Sequence, residues 1–300
     1  MAPLAAIRSA AIIDPFVRYL SSLRLQDILV LQGSPLLGAA FALRQAAADH
    51  AAPLALLVAG NVCLVAHIFV LNDRSNLTAD LTDPNKAADV FTARGVGSAE
   101  MGVLAAALLA ASLALVSRLG VMTLSIAIGI AALSALYSLP PFSWKGQPLL
   151  NSAAHLAGGG LHFLLGYSLG HVIDRRGLVI ATFFAVTFTA GHLTQELRDY
   201  RGDKRSGIRT NAIVFGRRRT FFASVVLFTL SHALLLCLCL WGVLPRPLAM
   251  LFVLYPVQYG WSLQALRERL TYASITRLQT RYRVLYAVIG AALAAALYLK

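Results

Sequence analysis

The chain has 300 residues, of which 58% are hydrophobic and only 13% charged, and its mean hydropathy is +0.69. Soluble domains average roughly 45–50% apolar and about 25% charged, so a soluble globular protein is excluded. The net charge of +13 does not point to nucleic acid, because the basic residues are neither interleaved with aromatics nor gathered in a soluble domain.

Residues 1–25 read as an interfacial helix. Asp14, Pro15 and Arg18 interrupt the apolar run that a secretory signal needs, whereas Ile12, Ile13, Phe16, Leu20 and Leu23 share a face with Arg18 and Arg24 toward lipid headgroups. Nine apolar stretches follow, near 27–45, 53–72, 100–117, 120–138, 148–170, 177–197, 219–242, 247–266 and 282–299. Each is close to the about 17–25 residues that cross a hydrocarbon core of about 30 Å. The expected fold is an all-α membrane protein with nine transmembrane helices, forming one domain over residues 1–300.

With nine spans, alternate connections fall on opposite sides of the bilayer. The N-terminus and the loops after spans two, four, six and eight carry 20 Lys and Arg residues; the other side carries 6, namely Arg44, Arg118, Arg175, Arg176, Arg246 and Lys300. The positive-inside rule then places the N-terminus and the first set of loops in the cytoplasm, as in a multi-pass protein of a bacterial inner membrane. Read plainly, the basic excess is topology together with attraction to anionic lipid. Cys63, Cys237 and Cys239 lie inside expected spans without metal-ligand spacing and read as small packing residues.

The longest polar connections, 73–99 and 198–218, fall on the same expected cytoplasmic side and interrupt two similar halves, a weak internal repeat. Of the 13 Asp and Glu residues, seven lie in or beside them: Asp73, Asp80, Asp83, Asp89, Glu196, Asp199 and Asp203. Asp73, Asn76 and Asp80 stand at i, i+3 and i+7, one face of a helix continuing out of the second span. Glu196, Asp199 and Asp203 repeat that spacing. Oxygen ligands stacked along a helix face repel one another unless a cation lies between them. Mg²⁺ suits such a site, because it takes one or two carboxylates and completes its octahedron with waters and substrate phosphates. Solvated acids at helix ends would be the ordinary explanation of one cluster; two clusters with one spacing on one side argue for a site, and ionisable groups at membrane depth are functional candidates by default. A diphosphate also needs cations as its leaving-group charge grows. Arg201, Lys204 and Arg209 follow the second cluster, and Lys145 follows Tyr137-Ser138-Leu139-Pro140-Pro141.

At these residues the chain resembles the UbiA superfamily of intramembrane prenyltransferases. The NDxxDxxxD pattern appears as Asn72, Asp73, Asn76 and Asp80. The second acidic pattern appears as Glu196, Asp199 and Asp203, followed by Gly207, Ile208, Arg209, Thr210 and Gly216, and YSxPPxxxK appears as Tyr137, Ser138, Pro140, Pro141 and Lys145. The resemblance implies a helical bundle around a central cavity, with Asp73, Asn76, Asp80, Glu196, Asp199 and Asp203 holding Mg²⁺. It further implies that Asp73, Asp80, Asp199 and Asp203 are catalytic and that Asn72, Tyr137, Lys145, Arg201, Lys204 and Arg209 bind substrate. The reaction implied is ionisation of an isoprenyl diphosphate and capture of the allylic cation by a lipophilic aromatic or quinone-precursor acceptor. Phe163, Tyr167, Phe183, Phe184, Phe188 and Tyr259 are candidates for cation–π contact with that cation. Three departures stand out: Asn76 where an Asp is usual, Glu196 where an Asp is usual, and Asp83-Pro84-Asn85-Lys86 where the usual Pro-x-Arg-Pro stretch follows the first motif.

The alternatives are a terpene cyclase that quenches the same cation internally, a transferase of a non-aromatic group on the same fold, and a transporter. The transporter is motivated by Asn61, His67, Asn151, His155 and His192 at expected mid-membrane depth. It is disfavoured because the acids gather at one surface, whereas transporter sites lie near the midplane. The histidines, His162 included, read as helix-packing groups with no metal-ligand pair among them.

Overall fold

The computed structural model describes residues 15–43, 50–170 and 172–298. Ile12, Ile13 and Asp14 of the expected N-terminal helix, and Arg8, Arg44 and Lys300 of the charge count, lie outside the described residues. A short helix α1 (Pro15–Ser22) is followed by α2 (Leu25–Val30), α3 (Gly33–Leu43), α4 (Ala51–Thr82), α5 (Ser98–Val116), α6 (Val121–Ser138) and α7 (Leu150–Tyr167). Then come α8 (Arg175–Arg205), the single turn α9 (Asn211–Val214), α10 (Arg217–Leu240), α11 (Leu254–Arg267) and α12 (Tyr272–Tyr298). There is no strand among the described residues.

Among the described residues, seven stretches are long and apolar enough to cross a membrane: Leu25–Leu43, which joins α2 and α3, Ser98–Leu119, and helices α4, α6, α8, α10 and α12 up to Leu297. The other two expected spans are helical but do not meet that description. In α7 the apolar run is diluted by Asn151, Ser152, His155, Gly158, Gly159, Gly160 and His162. The 247–266 stretch begins as a 3₁₀ segment, Arg246–Val253, before the 14 residues of α11.

The two longest helices decide where the acids go. At 1.5 Å per residue, the 32 residues of α4 and the 31 of α8 extend about 45–48 Å, well beyond a hydrocarbon core of about 30 Å. The apolar part of each spans, and the surplus projects past it as regular helix. The acidic clusters therefore lie on helix continuing out of the spans, as their i, i+3, i+7 spacing predicts, and the connections 73–99 and 198–218 are helical as far as Thr82 and Arg205. α12 shows the same effect in reverse, starting ten residues before the expected 282. Its polar first turns are held by Arg277 to Glu268 at 2.5 Å and Arg283 to Asp27 at 3.2 Å.

Apolar burial cannot drive association between helices already in lipid, so close packing does. α3 and α7 show how: a Cβ on Gly38 would overlap the Phe163 carbonyl, and a Cβ on Gly166 would overlap the Pro35 carbonyl. One core cluster gathers Phe41, Phe163, Phe183, Leu235, Leu285 and Ile289 from α3, α7, α8, α10 and α12. A second joins Leu57 and Leu64 of α4 to Val116, Ile126, Ile130 and Leu165. α4 and α8 thus run through the bundle between neighbours on several sides, which fixes their ends relative to each other.

Candidate active site

The C-terminal turns of α4 and α8 meet at one end of the bundle, where Thr82 and Ser206 hydroxyls stand 3.2 Å apart. Their acids face a shared set of cations. Arg24, expected among headgroups, instead clasps Asp73 through Nε, which donates to Oδ2 at 3.1 Å, and through a terminal nitrogen to Oδ1. Arg198 grips Asp199 from within the same helix, Nε donating to Oδ1 at 2.8 Å and Nη2 to Oδ2 at 3.2 Å. Lys86 closes the gap: its Nζ donates to Asp199 Oδ2 at 3.0 Å and lies 3.5 Å from Asp80 Oδ1. One ammonium therefore bridges two helices more than a hundred residues apart in sequence.

The turn that aims Lys86 is built locally. Asp83 ends α4 in extended conformation, and its Oδ1 accepts from the Asn85 backbone N–H at 3.0 Å and from Asn85 Nδ2 at 3.1 Å, an Asx turn of the kind Asp and Pro favour. The Asp83 carbonyl then accepts from Lys86 N and Ala87 N, folding the chain back. Asp83 itself is 4% exposed and rests on Gly202 of α8, where any Cβ would overlap its Oδ2. Burial alone would lower the Lys86 pKa, but Asp199 and Asp80 outweigh it and hold the ammonium above the usual lysine range. The Asp83–Lys86 stretch stood out in the sequence as a departure from the family pattern but with no role given to Lys86, although its Asp-Pro-Asn turn chemistry was the available signal.

Asn76 donates through Nδ2 to Asn72 Oδ1 at 2.9 Å, so its own oxygen is left to act as a ligand, and Asn72 serves to orient Asn76. Asp203 is different from the other acids. The residue is 8% exposed, and among the described residues its carboxylate has no hydrogen-bond or ion-pair partner.

Glu196 lies a further two turns into the bundle and is fully engaged. Its Oε1 accepts from Asn151 Nδ2 at 2.6 Å and Asn211 Nδ2 at 2.8 Å, and its Oε2 from the Ala212 N–H at 3.0 Å. His192 Nε2 is 3.1 Å from Oε1. Asn151 also donates to the Lys145 carbonyl at 3.3 Å, and Asn211 Oδ1 accepts from the Leu149 N–H at 2.8 Å. Glu196 is thus the buried knot tying α7, α8 and α9 to the 139–149 loop, where Ser143 and Leu149 take left-handed backbone conformations.

That loop presents Lys145 to a cavity of about 310 Å³ at the helix ends, lined also by Asn76, Thr78, Thr82, Arg205 and Ser206. Burial pushes the Lys145 ammonium below the usual lysine range, with Asp203 pulling upward and Lys86 downward. Arg201, Lys204 and Arg209, expected beside the substrate, are exposed instead. A step of two residues turns a helix by about 200°, which sends Arg201 away from the Asp199–Asp203 face. Arg205 shares the Arg201 face and is likewise exposed, but at the last residue of α8 it lines the cavity.

Deeper in the bundle, the His155 and His192 rings stack at 3.5 Å with an interplanar angle of 9°, a pairing the sequence spacing did not suggest. Tyr137 meets His155 edge-on at 5.1 Å and Phe188 stacks on it at 5.7 Å. The other aromatics proposed for cation contact are elsewhere. Phe163 and Phe183 are core residues and Phe184 stacks on Phe163 at 4.6 Å; Tyr167 donates to Asp174 at 2.8 Å; Tyr259 is 43% exposed. Of the mid-membrane polar residues, Asn61 donates to Gln32 at 2.9 Å and His67 Nδ1 lies 2.8 Å from the Ala105 carbonyl, both in the interior packing.

Fold and site together define an integral membrane helical protein with two facing carboxylate rows and a lysine-lined cavity at one end of its bundle. The chain belongs to the UbiA prenyltransferase family, which matches residues 34–282. Among proteins of known function it is 28% identical over 176 residues to the lycopene elongase/hydratase of Haloferax volcanii. That match covers 55% of this chain and 54% of the relative, so the chain is aligned with about half of that protein's length. Among solved structures it resembles a UbiA homologue from Archaeoglobus fulgidus bound to DMAPP and Mg²⁺, with a TM-score of 0.72, 18% identity, and coverage of 94% of this chain and 100% of that one. It likewise resembles a digeranylgeranylglyceryl phosphate synthase, with a TM-score of 0.70, 15% identity, and coverage of 94% and 98%. At these identities the likeness concerns the fold.

Proposed function

We propose that the chain transfers an isoprenyl group from an isoprenyl diphosphate to a lipophilic acceptor, at the cytoplasmic end of a nine-helix bundle. The observation that carries this reading is the convergence of the α4 and α8 acids on one ammonium. A cation between two carboxylate rows is the arrangement that receives a polyanionic head rather than repelling it. Family membership and the Archaeoglobus homologue bound to DMAPP and Mg²⁺ support it.

Asp80, Asp203 and the Asn76 oxygen would hold Mg²⁺, an ion that typically takes one or two carboxylates and completes its shell with water and phosphate; Asp73 and Asp199, also expected as ligands, are already held by Arg24 and by Arg198 with Lys86. Among the described residues no three or more His, Cys, Asp or Glu side chains form a metal-holding group. The unpartnered Asp203 is a ligand held in waiting. Bound there, Mg²⁺ would supply charge neutralisation to the departing diphosphate. Glu196, expected as a sixth ligand, is better read as the brace of the Lys145 loop, since three donors already occupy its oxygens.

Lys145 and Arg205, on the cavity wall, meet the diphosphate oxygens as the C–O bond breaks. Tyr137, His155 and Phe188 offer aromatic surface to an allylic cation, and the acceptor's π electrons close the new C–C bond with loss of a proton. The match to a lycopene elongase/hydratase favours a polyene as an acceptor alongside the phenolic class. The test is to incubate membranes containing the chain with labelled isoprenyl diphosphates of several lengths, with and without Mg²⁺, and with phenolic and polyene acceptors in separate arms. Mg²⁺-dependent diphosphate release with label in the acceptor is expected; no release at any length would overturn the reading.

Two substitutions sharpen it. Lys145→Met should weaken inorganic diphosphate binding about 10–100-fold, the worth of a charge-assisted hydrogen bond of about 1.5–3 kcal/mol. Only the protonated amine attracts diphosphate, so in the parent chain affinity should fall as pH rises through the lowered Lys145 pKa; isothermal titration across alkaline pH reads both effects, and the Met variant should lose that limb. Asn76→Asp adds a charged ligand while keeping the oxygen, and should retain turnover with a several-fold lower apparent Mg²⁺ constant, measured from rate against Mg²⁺ concentration.

A further inference from the structure

We propose that Lys86 is a resident cation of this site, standing between α4 and α8 where a second divalent ion would otherwise sit, so that the chain takes up a single divalent cation. The inference rests on the diphosphate reading for the identity of the site. Its own basis is geometric. The Lys86 ammonium contacts one carboxylate from each row, Asp199 at 3.0 Å and Asp80 at 3.5 Å. Without it, Asp80 and Asp199 would have no cation between them, Arg198 holding Asp199 from its own helix alone, and a divalent ion with its hard-oxygen preference suits that gap.

The placement is built rather than incidental. A surface lysine carries a mobile stem, but this one leaves a turn fixed by the Asp83 side chain and carbonyl, and Asp83 is itself buried against Gly202. The same α8 turn that carries Asp199 and Asp203 therefore seats the residue that positions Lys86. The cations are already assigned: Arg24 pairs with Asp73, Arg198 with Asp199, and Lys86 stands between Asp199 and Asp80.

The experiment counts metal directly. Detergent-purified full chain is equilibrated with Mn²⁺ and methylenediphosphonate, and bound Mn²⁺ per chain is read by electron paramagnetic resonance. The parent chain and Lys86→Arg should saturate at about one Mn²⁺, and Lys86→Met at about two. Lys86→Ala should also bind two, returning to one when ethylammonium is added to fill the gap. Two Mn²⁺ in the parent chain would overturn the inference without any variant, and one in a folded Lys86→Met would overturn it as well. The readout is independent of turnover: an active chain holding two ions sinks the role of Lys86 alone, whereas a chain that releases no diphosphate sinks the transfer reading alone.

Discussion

Asp203→Asn should lower turnover by at least about 10³-fold, about 4 kcal/mol in the barrier, and yet raise the melting temperature of the metal-free protein. The two halves of this expectation come from one observation. A buried carboxylate with no hydrogen-bond or ion-pair partner among the described residues costs free energy, since charge taken out of water is repaid only by pairing. Such a group destabilises the resting fold in order to be available to a cation. The neutral isostere keeps the shape of the side chain, removes the desolvation cost, and removes the ligand. Asp199 offers the contrast: Arg198 and Lys86 already neutralise it, so Asp199→Asn should cost both activity and stability. Thermal unfolding in detergent without divalent ions, beside initial rates with Mg²⁺, distinguishes the two. A fall in melting temperature for Asp203→Asn, or near-normal turnover, would show that this carboxylate is structural.

How far the sequence led depends on the distance over which each contact acts. Helical periodicity is local, so the shared face of Asp73, Asn76 and Asp80 and the existence of helices at every expected span were legible. That helix continues out of the second span was legible from the same spacing; the end points of α4 and α8 at Thr82 and Arg205 were not, because hydropathy falls where the helix leaves lipid even though its hydrogen bonding continues. Periodicity also misleads when a face is read without depth. Glu196 shares a face with Asp203, but seven residues place it about 10 Å further along the axis, level with Asn151 and Asn211. Those partners lie 45 and 15 residues away, and no spacing rule connects them. Arg201 and Lys204 were chosen for proximity along the chain, whereas Lys86 and Arg24 reach the same acids from other elements.

Glu196→Ala carries the largest expected loss of stability. It leaves the Asn151 and Asn211 amides and the Ala212 N–H without their acceptor in a buried setting, and each hydrogen bond to a charged group is worth about 1.5–3 kcal/mol. A total of several kcal/mol is a large share of the about 5–15 kcal/mol that holds a typical protein folded. The damage is directional. Asn151 and Asn211 also fix Lys145 and Leu149 through the Lys145 carbonyl and the Leu149 N–H, so loosening them frees the loop that presents Lys145. In protein that remains folded at low temperature, KM for the diphosphate substrate should therefore rise more than kcat falls, and the Lys145-dependent alkaline limb of diphosphate binding should blur. Glu196→Gln keeps one acceptor oxygen for Asn151 and Asn211 but turns an NH₂ group toward the Ala212 N–H, so it should fall between the parent and Ala. A metal ligand would behave differently: both substitutions would raise the Mg²⁺ concentration needed for half-maximal rate while leaving the melting temperature of the metal-free chain unchanged, and that outcome would return Glu196 to the ligand set.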